Sequence, residues 1–183
     1  LKTEEYNGSS WANGENLPAA NSVMASSGPQ TAGLLAGGTV SPSTSSFDYD
    51  GTDYSANPSI STGRAYLDGA GTQTANIIAG GWEPGNSNKT EEYNGSSWTN
   101  GGNLATARRS GRMAGTQTAS LVISGYNGSS VVANVESYNG TNWTEITDVN
   151  TGRGSSGAGA GTTTSALFSG GDSGSPTTNT ELW

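Results

Sequence analysis

The side chains that most often carry enzymatic chemistry are few in this sequence. The chain has neither His nor Cys, which excludes thiol nucleophiles, disulfide frameworks, Cys/His zinc sites and imidazole acid-base catalysis. Among the carboxylates, Glu15, Glu83, Glu136 and Glu145 fall at unrelated places along the chain, and their spacing does not favour the paired acids of a glycosidase. We therefore expect a protein that is not an enzyme and that uses no cofactor.

Three carboxylates close together, Asp48, Asp50 and Asp53, raise the question of a calcium site. A calcium loop of the EF-hand type needs oxygen ligands at its first, third and fifth positions and Gly at the sixth, whereas Gly51 is the fourth residue from Asp48. A tight hairpin turn at Asp50-Gly51 explains the segment better. No metal site is predicted.

A small set of aromatic and cationic residues could bind a ligand. Trp82 and Tyr126 each follow a Gly that ends an apolar run, and the segment 82–88 is rich in Asn, Gly and Ser. An exposed aromatic ring beside polar side chains is a common way to stack on a sugar ring. With Arg109 and Arg112 they form the candidate ligand-binding set; the alternative is that the two rings only cover the edge of a sheet.

These candidate residues lie within a repeated sequence. The segment 3–11 returns almost letter for letter at 90–98, and weaker copies occupy 47–54 and 136–143. The first aromatic of each copy falls at Tyr6, Tyr49, Tyr93, Tyr138 and Trp183, in steps of 43, 44, 45 and 45 residues. The sequence therefore consists of repeats of about 44 residues, which we place at roughly 6–48, 49–92, 93–137 and 138–182 within one domain, 1–183.

Other positions recur with the same period and are expected to be structural. A Gly follows each apolar run. An Arg precedes the run in three copies, and Asn21 takes the place of this Arg in the first copy. A Trp follows the first aromatic residue in three copies. We expect the Trp residues to fill space between repeats and the Arg residues to bond carbonyl groups or pair with a carboxylate. These positions are Gly37, Gly80, Gly125 and Gly170; Arg64, Arg108 and Arg153; and Trp11, Trp98 and Trp143.

The local signals predict β-structure throughout. Asn-Gly or Asp-Gly pairs at residues 7, 50, 94 and 139 separate aromatic-bearing segments, which predicts tight hairpins with both central residues at positive φ. No segment sustains an apolar helical period, and Gly or Pro interrupts nearly every helical window. Each repeat therefore reads as four short antiparallel strands, too small a sheet to bury both faces alone.

The order of Arg, an apolar run ending in Gly-Gly, Tyr and then Trp resembles the kelch repeat. Arg64, the pair at 80–81, Tyr93 and Trp98 carry the resemblance, with Tyr126 in place of the second Gly in the next copy. It implies an all-β fold, a β-propeller of four four-stranded blades. The repeated phrases Tyr-Asn-Gly-Ser-Ser-Trp and Gly-Thr-Gln-Thr-Ala also resemble kelch-like arrays in structural proteins of marine phages, notably cyanophages.

Closure of the ring has three solutions, because the Tyr-bearing strand occurs five times and the other strands four times each. The terminal strands could pair in one mixed blade, the chain could be a window on a longer array, or the spare strand could pair with another subunit. We favour a ring closed by the terminal strands. An oligomeric ring built from several copies of the chain is the main competitor.

The net charge of the chain limits the kinds of partner that we expect. A net charge of −8 disfavours nucleic-acid binding, and the apolar runs are too short for membrane insertion. From the resemblance and the composition we expect a non-enzymatic structural and binding module, located on a virion or outside the cell, such as part of a phage tail or head fibre. Its expected partner is a host surface glycan or another virion protein. The alternative is a scaffold propeller that binds a protein partner through its rim loops.

Overall fold

A computed structural model describes residues 2–39, 43–155 and 157–183, and every regular element in these ranges is a β-strand. The chain begins with a two-stranded N-terminal hairpin, β1 (Glu4–Tyr6) and β2 (Trp11–Asn13). Four antiparallel sheets follow, which we call blades 1 to 4. In the same ranges we find no helix that could span a bilayer.

The blades are meanders of consecutive strands, three with four strands and the last with three. Blade 1 contains β3 (Ala25–Ser27), β4 (Gly33–Ala36), β5 (Ser46–Tyr49) and β6 (Tyr54–Asn57). Blade 2 contains β7 (Asp68–Gly71), β8 (Asn76–Ala79), β11 (Thr90–Tyr93) and β12 (Trp98–Asn100), with a short hairpin, β9 (Trp82–Glu83) and β10 (Gly85–Asn86), between β8 and β11. Blade 3 contains β13 (Arg112–Thr116), β14 (Ala119–Ile123), β15 (Val135–Tyr138) and β16 (Trp143–Ile146), and blade 4 contains β17 (Ala158–Thr162), β18 (Ser165–Ser169) and β19 (Thr180–Leu182).

The first strands of the blades pack on one another in chain order, β3 on β7, β7 on β13 and β13 on β17. The predicted all-β fold, with four blades arranged as a β-propeller, is confirmed.

The two ends of the chain do not share a sheet. β1 pairs only with β2, and β19 pairs only with β18. We predicted that the terminal strands would pair to close the ring, and among the described residues this pairing is not made. Since β1 and β19 both carry the third-strand sequence, they compete for one place beside β18, and β19 occupies it.

The turns at the Asn-Gly pairs differ from the prediction. Gly8 and Gly95 have φ near +90°, but Asn7 and Asn94 do not adopt positive φ. The loops contain four residues instead of two, because Tyr93 is paired directly with Trp98. The Asn94 side chain accepts hydrogen bonds from the backbone of the second and third residues after it, at 3.0 and 2.9 Å, and so forms an Asx turn. These hydrogen bonds to the Asn94 amide oxygen stabilise a four-residue loop, in which Asn94 does not need the positive φ of a two-residue turn.

The second strands of blades 2 and 3, β8 and β14, are buried on both faces, which explains why their apolar runs are continuous. Successive side chains of a strand point to opposite faces. Ile78 packs in a cluster with Leu34 of blade 1, whereas the adjacent Ile77 packs with Val122 of blade 3. Leu121 in turn packs with Phe168 of blade 4. Each such side chain contributes roughly 1.5–3 kcal/mol on full burial.

The paired aromatics of the third and fourth strands stack across each hairpin, and their burial varies along the array. Tyr138 and Trp143 have ring centroids 4.8 Å apart and are both buried. Trp98 is half-buried, while Trp11 is 67% exposed. Trp11 therefore does not fill space between blades, contrary to the prediction, because its hairpin has no further sheet on that side among the described residues.

The recurring arginines hold the long loop that precedes each third strand. Arg64 Nη1 donates to the carbonyl oxygens of Gly80 and Lys89, and its Nη2 lies 2.8 Å from Glu91 Oε1. Arg108 bonds the carbonyl oxygens of Ser124 and Asn134 and pairs with Glu136, and Arg153 bonds the carbonyl oxygen of Asn179 and pairs with Glu181. All three arginines are at most 1% exposed.

This pairing corrects the interpretation of Glu136, which we took to fall at an unrelated place in the chain. It is in phase with Glu91 and Glu181, since each is opposite the middle of its blade's second strand.

The glycine pair after each second strand requires backbone torsions that favour Gly. Its φ values are +65° and +104° at Gly80 and Gly81, and a side chain at Gly80 would lie 2.6 Å from the carbonyl oxygen of Arg108. In blade 3 the pair is Ser124 and Gly125, with φ of +60° and +114°. Ser124, and not Tyr126, is thus the residue that departs from the pattern. Its hydroxyl donates to the Arg153 carbonyl oxygen at 2.8 Å, which turns the close approach into a hydrogen bond.

Candidate functional site

The residues that directly follow the glycine pairs lie at one end of the blades, on what we call the rim. Each pairs with the residue that follows the recurring arginine: Trp82 with Ala65, Tyr126 with Arg109, and Asp172 with Gly154. In blade 1 the corresponding contact is a 3.2 Å hydrogen bond from the Thr39 amide to the Ser22 carbonyl oxygen. The two-way backbone pairing is the same in blades 2, 3 and 4, and the described part of blade 1 makes one of its two hydrogen bonds. The side chains differ in size, charge and polarity.

Beside the rim, one residue of each blade is held in the left-handed region of backbone space. These residues are Val23, Tyr66, Ser110 and Ser155, with φ between +42° and +56°. Two of them are linked to the preceding blade, because the Tyr66 amide donates to the Val23 carbonyl oxygen and the Ser110 amide donates to the Tyr66 carbonyl oxygen. Non-glycine residues in this region cost of order 1–3 kcal/mol and cluster at functional sites.

A cleft of about 350 Å³ opens on the rim between blades 1, 2 and 3. Tyr66, which is 41% exposed, and Trp82, which is 36% exposed, present their rings there together with Thr39, Ala65 and Arg109. Two exposed aromatic rings and one guanidinium are the groups in this cleft that can stack on a ligand or donate to it.

Arg109 is held in place by groups that also fix Tyr126. Its guanidinium carbon lies 4.7 Å from the centroid of the Tyr126 ring, and its Nη1 donates to Asn86 Oδ1 at 3.1 Å. Asn86 Nδ2 in turn donates to the Tyr126 carbonyl oxygen at 2.8 Å. A cation held over an aromatic face in this way is oriented before any ligand arrives.

Arg112 is separate from this cluster. It lies on β13, where its Nη1 is 3.9 Å from Asp68 Oδ2, and it lines a smaller pocket of about 120 Å³ that also contacts Tyr66. The pKa of Asp68 is raised, mainly by burial, although the Met113 amide and Arg112 act in the opposite direction. The structure thus brings Trp82 and Arg109 together in one cleft with Tyr126 alongside, and it places Arg112 in a neighbouring pocket.

The remaining carboxylates do not converge on the cleft. Asp50 accepts hydrogen bonds from the amides of Thr52 and Asp53, each at 2.8 Å, and Asp48 accepts one from Asn57 at 2.6 Å. Within the described parts of the chain, no group of three or more acidic side chains is arranged to hold a metal ion.

Three residues that line the cleft were missed in the ligand-binding set. These residues are Thr39, Ala65 and Tyr66. Aligning the copies on both glycines of the pair would have placed Thr39 beside Trp82, Tyr126 and Asp172. The orientation of Tyr66 depends on its positive φ, for which the sequence carries no signal.

Neither known protein families nor curated proteins gave a match to this sequence. The class of the protein therefore rests on its architecture, which is that of an all-β, four-bladed β-propeller. These comparisons do not show that the chain belongs to the kelch family.

Proposed function

We propose that the chain is a non-enzymatic, kelch-like binding module that uses the rim cleft to bind a glycan. The observation that carries the proposal is the pair of half-exposed rings, Tyr66 and Trp82, in one cleft with the oriented guanidinium of Arg109. Pyranose rings have apolar faces that stack on aromatic rings and hydroxyl groups that accept hydrogen bonds from Arg. The cleft offers both kinds of contact.

The variation between copies supports the same proposal. The arginines, glycine pairs and aromatic hairpins repeat because every blade needs them for packing. Trp82, Tyr126 and Asp172 occupy equivalent backbone positions and differ in chemistry. Packing between blades does not require this difference, whereas a binding surface benefits from it.

The absence of an enzymatic role is part of the proposal. Residues lining the cleft are aromatic, small or cationic, and a pair of acids to act as acid and base is not among them. The nearby Glu83 carboxylate is engaged by Lys89 at 3.0 Å and by Ser87 at 2.9 Å. Binding without turnover fits this set of side chains.

The biological setting follows from the resemblance of the repeated phrases to kelch-like arrays of marine phages. We propose a virion appendage, such as a tail or head fibre, that attaches to a host surface glycan. The net charge of −8 and the absence of Cys are compatible with that setting.

A glycan array followed by titration in solution tests the proposal. The wild-type chain should bind at least one class of surface glycan, and Trp82→Ala should weaken binding by about tenfold or more, since it removes a stacking surface. Trp82→Phe keeps a ring and should retain most of the affinity. Both variants should keep the wild-type circular dichroism spectrum, because Trp82 lies at the rim and outside the apolar clusters between the blades.

No binding by the wild-type chain would contradict glycan binding. Equal affinity of wild type and Trp82→Ala would contradict binding in the rim cleft. A pull-down that yields one stoichiometric protein partner and no glycan would instead favour the scaffold alternative. Trp, Tyr and Arg side chains are also those that dominate protein interfaces, which is the observation that favours this second function.

A further inference from the structure

Most cationic side chains of this acidic chain are already paired, and two that are not closely paired lie at the rim. The chain has seven Lys and Arg residues and fifteen Asp and Glu residues. Lys89 and the three recurring arginines each form an ion pair with a glutamate. Within the described ranges Arg109 forms no ion pair, and the nearest carboxylate oxygen to an Arg112 nitrogen is 3.9 Å away. Both arginines line cavities at the rim, so cationic groups are available to a ligand there.

The guanidinium of Arg112 does not donate to the acid beside it. Its Nη1 lies 3.9 Å from Asp68 Oδ2, which is too long for a hydrogen bond. That oxygen instead accepts a hydrogen bond from the Met113 amide at 2.9 Å. The Nε atom of Arg112 is excluded from solvent, so the donors that a ligand can meet are those of Nη1 and Nη2.

The pocket beside Arg112 adjoins the rim cleft at one aromatic ring. This Arg112 pocket has a volume of about 120 Å³, and its other walls include Met24, Tyr66 and Leu67. Tyr66 also lines the larger cleft that contains Trp82. A sugar stacked on the Tyr66 ring in the cleft therefore lies next to the Arg112 pocket, and the pocket is large enough for a small substituent of that sugar.

The backbone around this boundary is fixed before any ligand binds. Val23, Tyr66 and Ser110 have φ values of +50°, +55° and +56°, and all three line the Arg112 pocket. The Tyr66 amide donates to the Val23 carbonyl oxygen at 3.0 Å, and the Tyr66 carbonyl oxygen accepts from the Ser110 amide at 2.8 Å. Left-handed torsions of non-glycine residues cluster at ligand sites, and here three of them surround one pocket.

We propose that the ligand of the rim is an acidic glycan, whose sugar ring stacks on Tyr66 in the cleft while its carboxylate or sulfate ester binds Arg112 in the adjoining pocket. This inference rests on the glycan-binding function proposed above and names the class of glycan. The planar fork of a guanidinium matches the two oxygens of such a group. Arg109 adds positive charge on the cleft side of Tyr66.

An anionic ligand group fits this place and few others on the chain. A net charge of −8 repels anions in general, so an anion is expected only where cations lack close partners. The charge of Asp68 beside Arg112 disfavours a doubly charged phosphate ester more than a singly charged carboxylate or sulfate ester. Burial raises the pKa of Asp68, which makes this neighbour easier to protonate when an anion binds.

A glycan array that contains neutral, carboxylated and sulfated members is the first test. We expect the wild-type chain to bind acidic members and not their neutral counterparts, and the preferred acid distinguishes a carboxylate from a sulfate ester. Binding to neutral glycans alone would overturn this inference and leave the glycan-binding function standing. No binding to any member would contradict the glycan-binding function itself.

The second test compares the acidic glycan with its uncharged form, which is the methyl ester of a carboxylate or the desulfated sugar. In solution titrations the wild-type chain should bind the charged form at least about tenfold more tightly. Arg112→Gln should abolish this preference and leave the affinity for the uncharged form unchanged, and Arg112→Lys should retain part of the preference. Equal losses for both forms would show that Arg112 acts through the fold, and would overturn its role in binding the anion.

The neighbouring acid provides a change in the opposite direction. Asp68→Asn removes a negative charge beside Arg112 and should raise the affinity for the charged glycan above that of wild type, with no change for the uncharged form. Asp53→Asn makes the same charge change at an exposed position in the outer hairpin of blade 1 and should leave both affinities unchanged. Equal affinity of wild type and Asp68→Asn for the charged glycan would contradict the position of the anion beside Arg112.

Discussion

Arg64 Nη2 lies 2.8 Å from Glu91 Oε1, and both side chains are almost completely excluded from solvent. In blade 1 both members of this pair are replaced together: Asn21 stands in the place of the arginine, and Phe47 is paired with β4 as Glu91 is paired with β8. Asn21 Nδ2 donates to the Gly37 carbonyl oxygen at 2.9 Å, as Arg64 does to that of Gly80. Blade 1 thus retains one hydrogen bond and has a buried apolar side chain where blade 2 has the carboxylate.

The first prediction is that the ion pair of blade 2 can be replaced by the Asn and Phe of blade 1 only when both residues are changed together. Glu91→Ala should lower the free energy of unfolding by about 3–5 kcal/mol, because it leaves a buried guanidinium without its counterion. The double change Arg64→Asn with Glu91→Phe should cost less than the sum of the two single changes. Urea unfolding of wild type, Arg64→Asn, Glu91→Phe and the double variant measures the coupling. Strict additivity would contradict the interpretation that blade 1 carries a compensated substitution.

The second prediction concerns Gly125, whose φ is +114°. A Cβ atom there would lie 2.9 Å from the Arg109 carbonyl oxygen and 3.0 Å from the Gly111 nitrogen. Gly125→Val should therefore disrupt blade 3 and lower the melting temperature strongly. Gly174→Val is the matched control, since its φ is +112° and no atom lies within 4 Å of the added Cβ. The control should show the torsional cost alone, roughly 1–3 kcal/mol. An unchanged melting temperature for Gly125→Val, or equal losses at both sites, would refute the steric argument.

The third prediction uses the left-handed backbone at Val23, a β-branched residue with φ of +50°. Val23→Gly and Val23→Ala both remove the isopropyl group, but only the glycine variant relieves the clash between Cβ and the backbone. We expect Val23→Gly to be more stable than Val23→Ala by about 1 kcal/mol. At an ordinary strand position the order is reversed, with Gly less stable by roughly 0.5–1 kcal/mol. Thermal unfolding of the two variants decides between the two orders.

How far the sequence predicts the fold depends on which features repeat. The aromatic anchors, arginines and glycines recur at a fixed period, so three to five copies of each signal identify the blades even though no single strand is convincing alone. The closure could not be predicted, because β1 and β19 carry nearly the same third-strand sequence and the sequence does not say which one pairs with β18. The two-residue turn was also wrong, since the preference of Asn-Gly for tight turns gave way to the Asx hydrogen bonds of Asn94.

Part of the candidate site could be predicted from the sequence by setting aside the residues that the repeat requires. Trp82, Tyr126 and Arg109 stood out because the repeat does not account for them, and the structure places all three at the rim. Arg112 stood out for the same reason but lies beside Asp68, since two residues three positions apart can lie on different sides of a bend in the chain. The contribution of Tyr66 depends on a backbone torsion, which composition and spacing do not reveal.

The fourth prediction rests on two carboxyl groups whose pKa values shift in opposite directions. Burial raises the pKa of Asp68 above its ordinary value of 3.8, so the folded state retains a proton that the unfolded state has already lost. Stability then falls as the pH rises through the folded pKa. Hydrogen bonds from the amides of Asp53 and Thr52 lower the pKa of Asp50 below 3.8, so its contribution is present above that pH and is lost as the pH falls through the folded pKa.

Replacing each carboxyl group by an amide should therefore give opposite results. Asp68→Asn should be more stable than wild type at neutral pH. The gain should shrink as the pH falls below the raised pKa and should vanish below about pH 4, where Asp68 is protonated in both the folded and the unfolded state. Asp50→Asn keeps the turn, as Asn94 does in blade 2, but should be slightly less stable than wild type above about pH 4 and equal to it in stronger acid. Unfolding by urea between pH 3 and pH 8 measures both differences. A stability gain for Asp68→Asn that did not depend on pH would show that the substitution acts through packing and not through the buried charge.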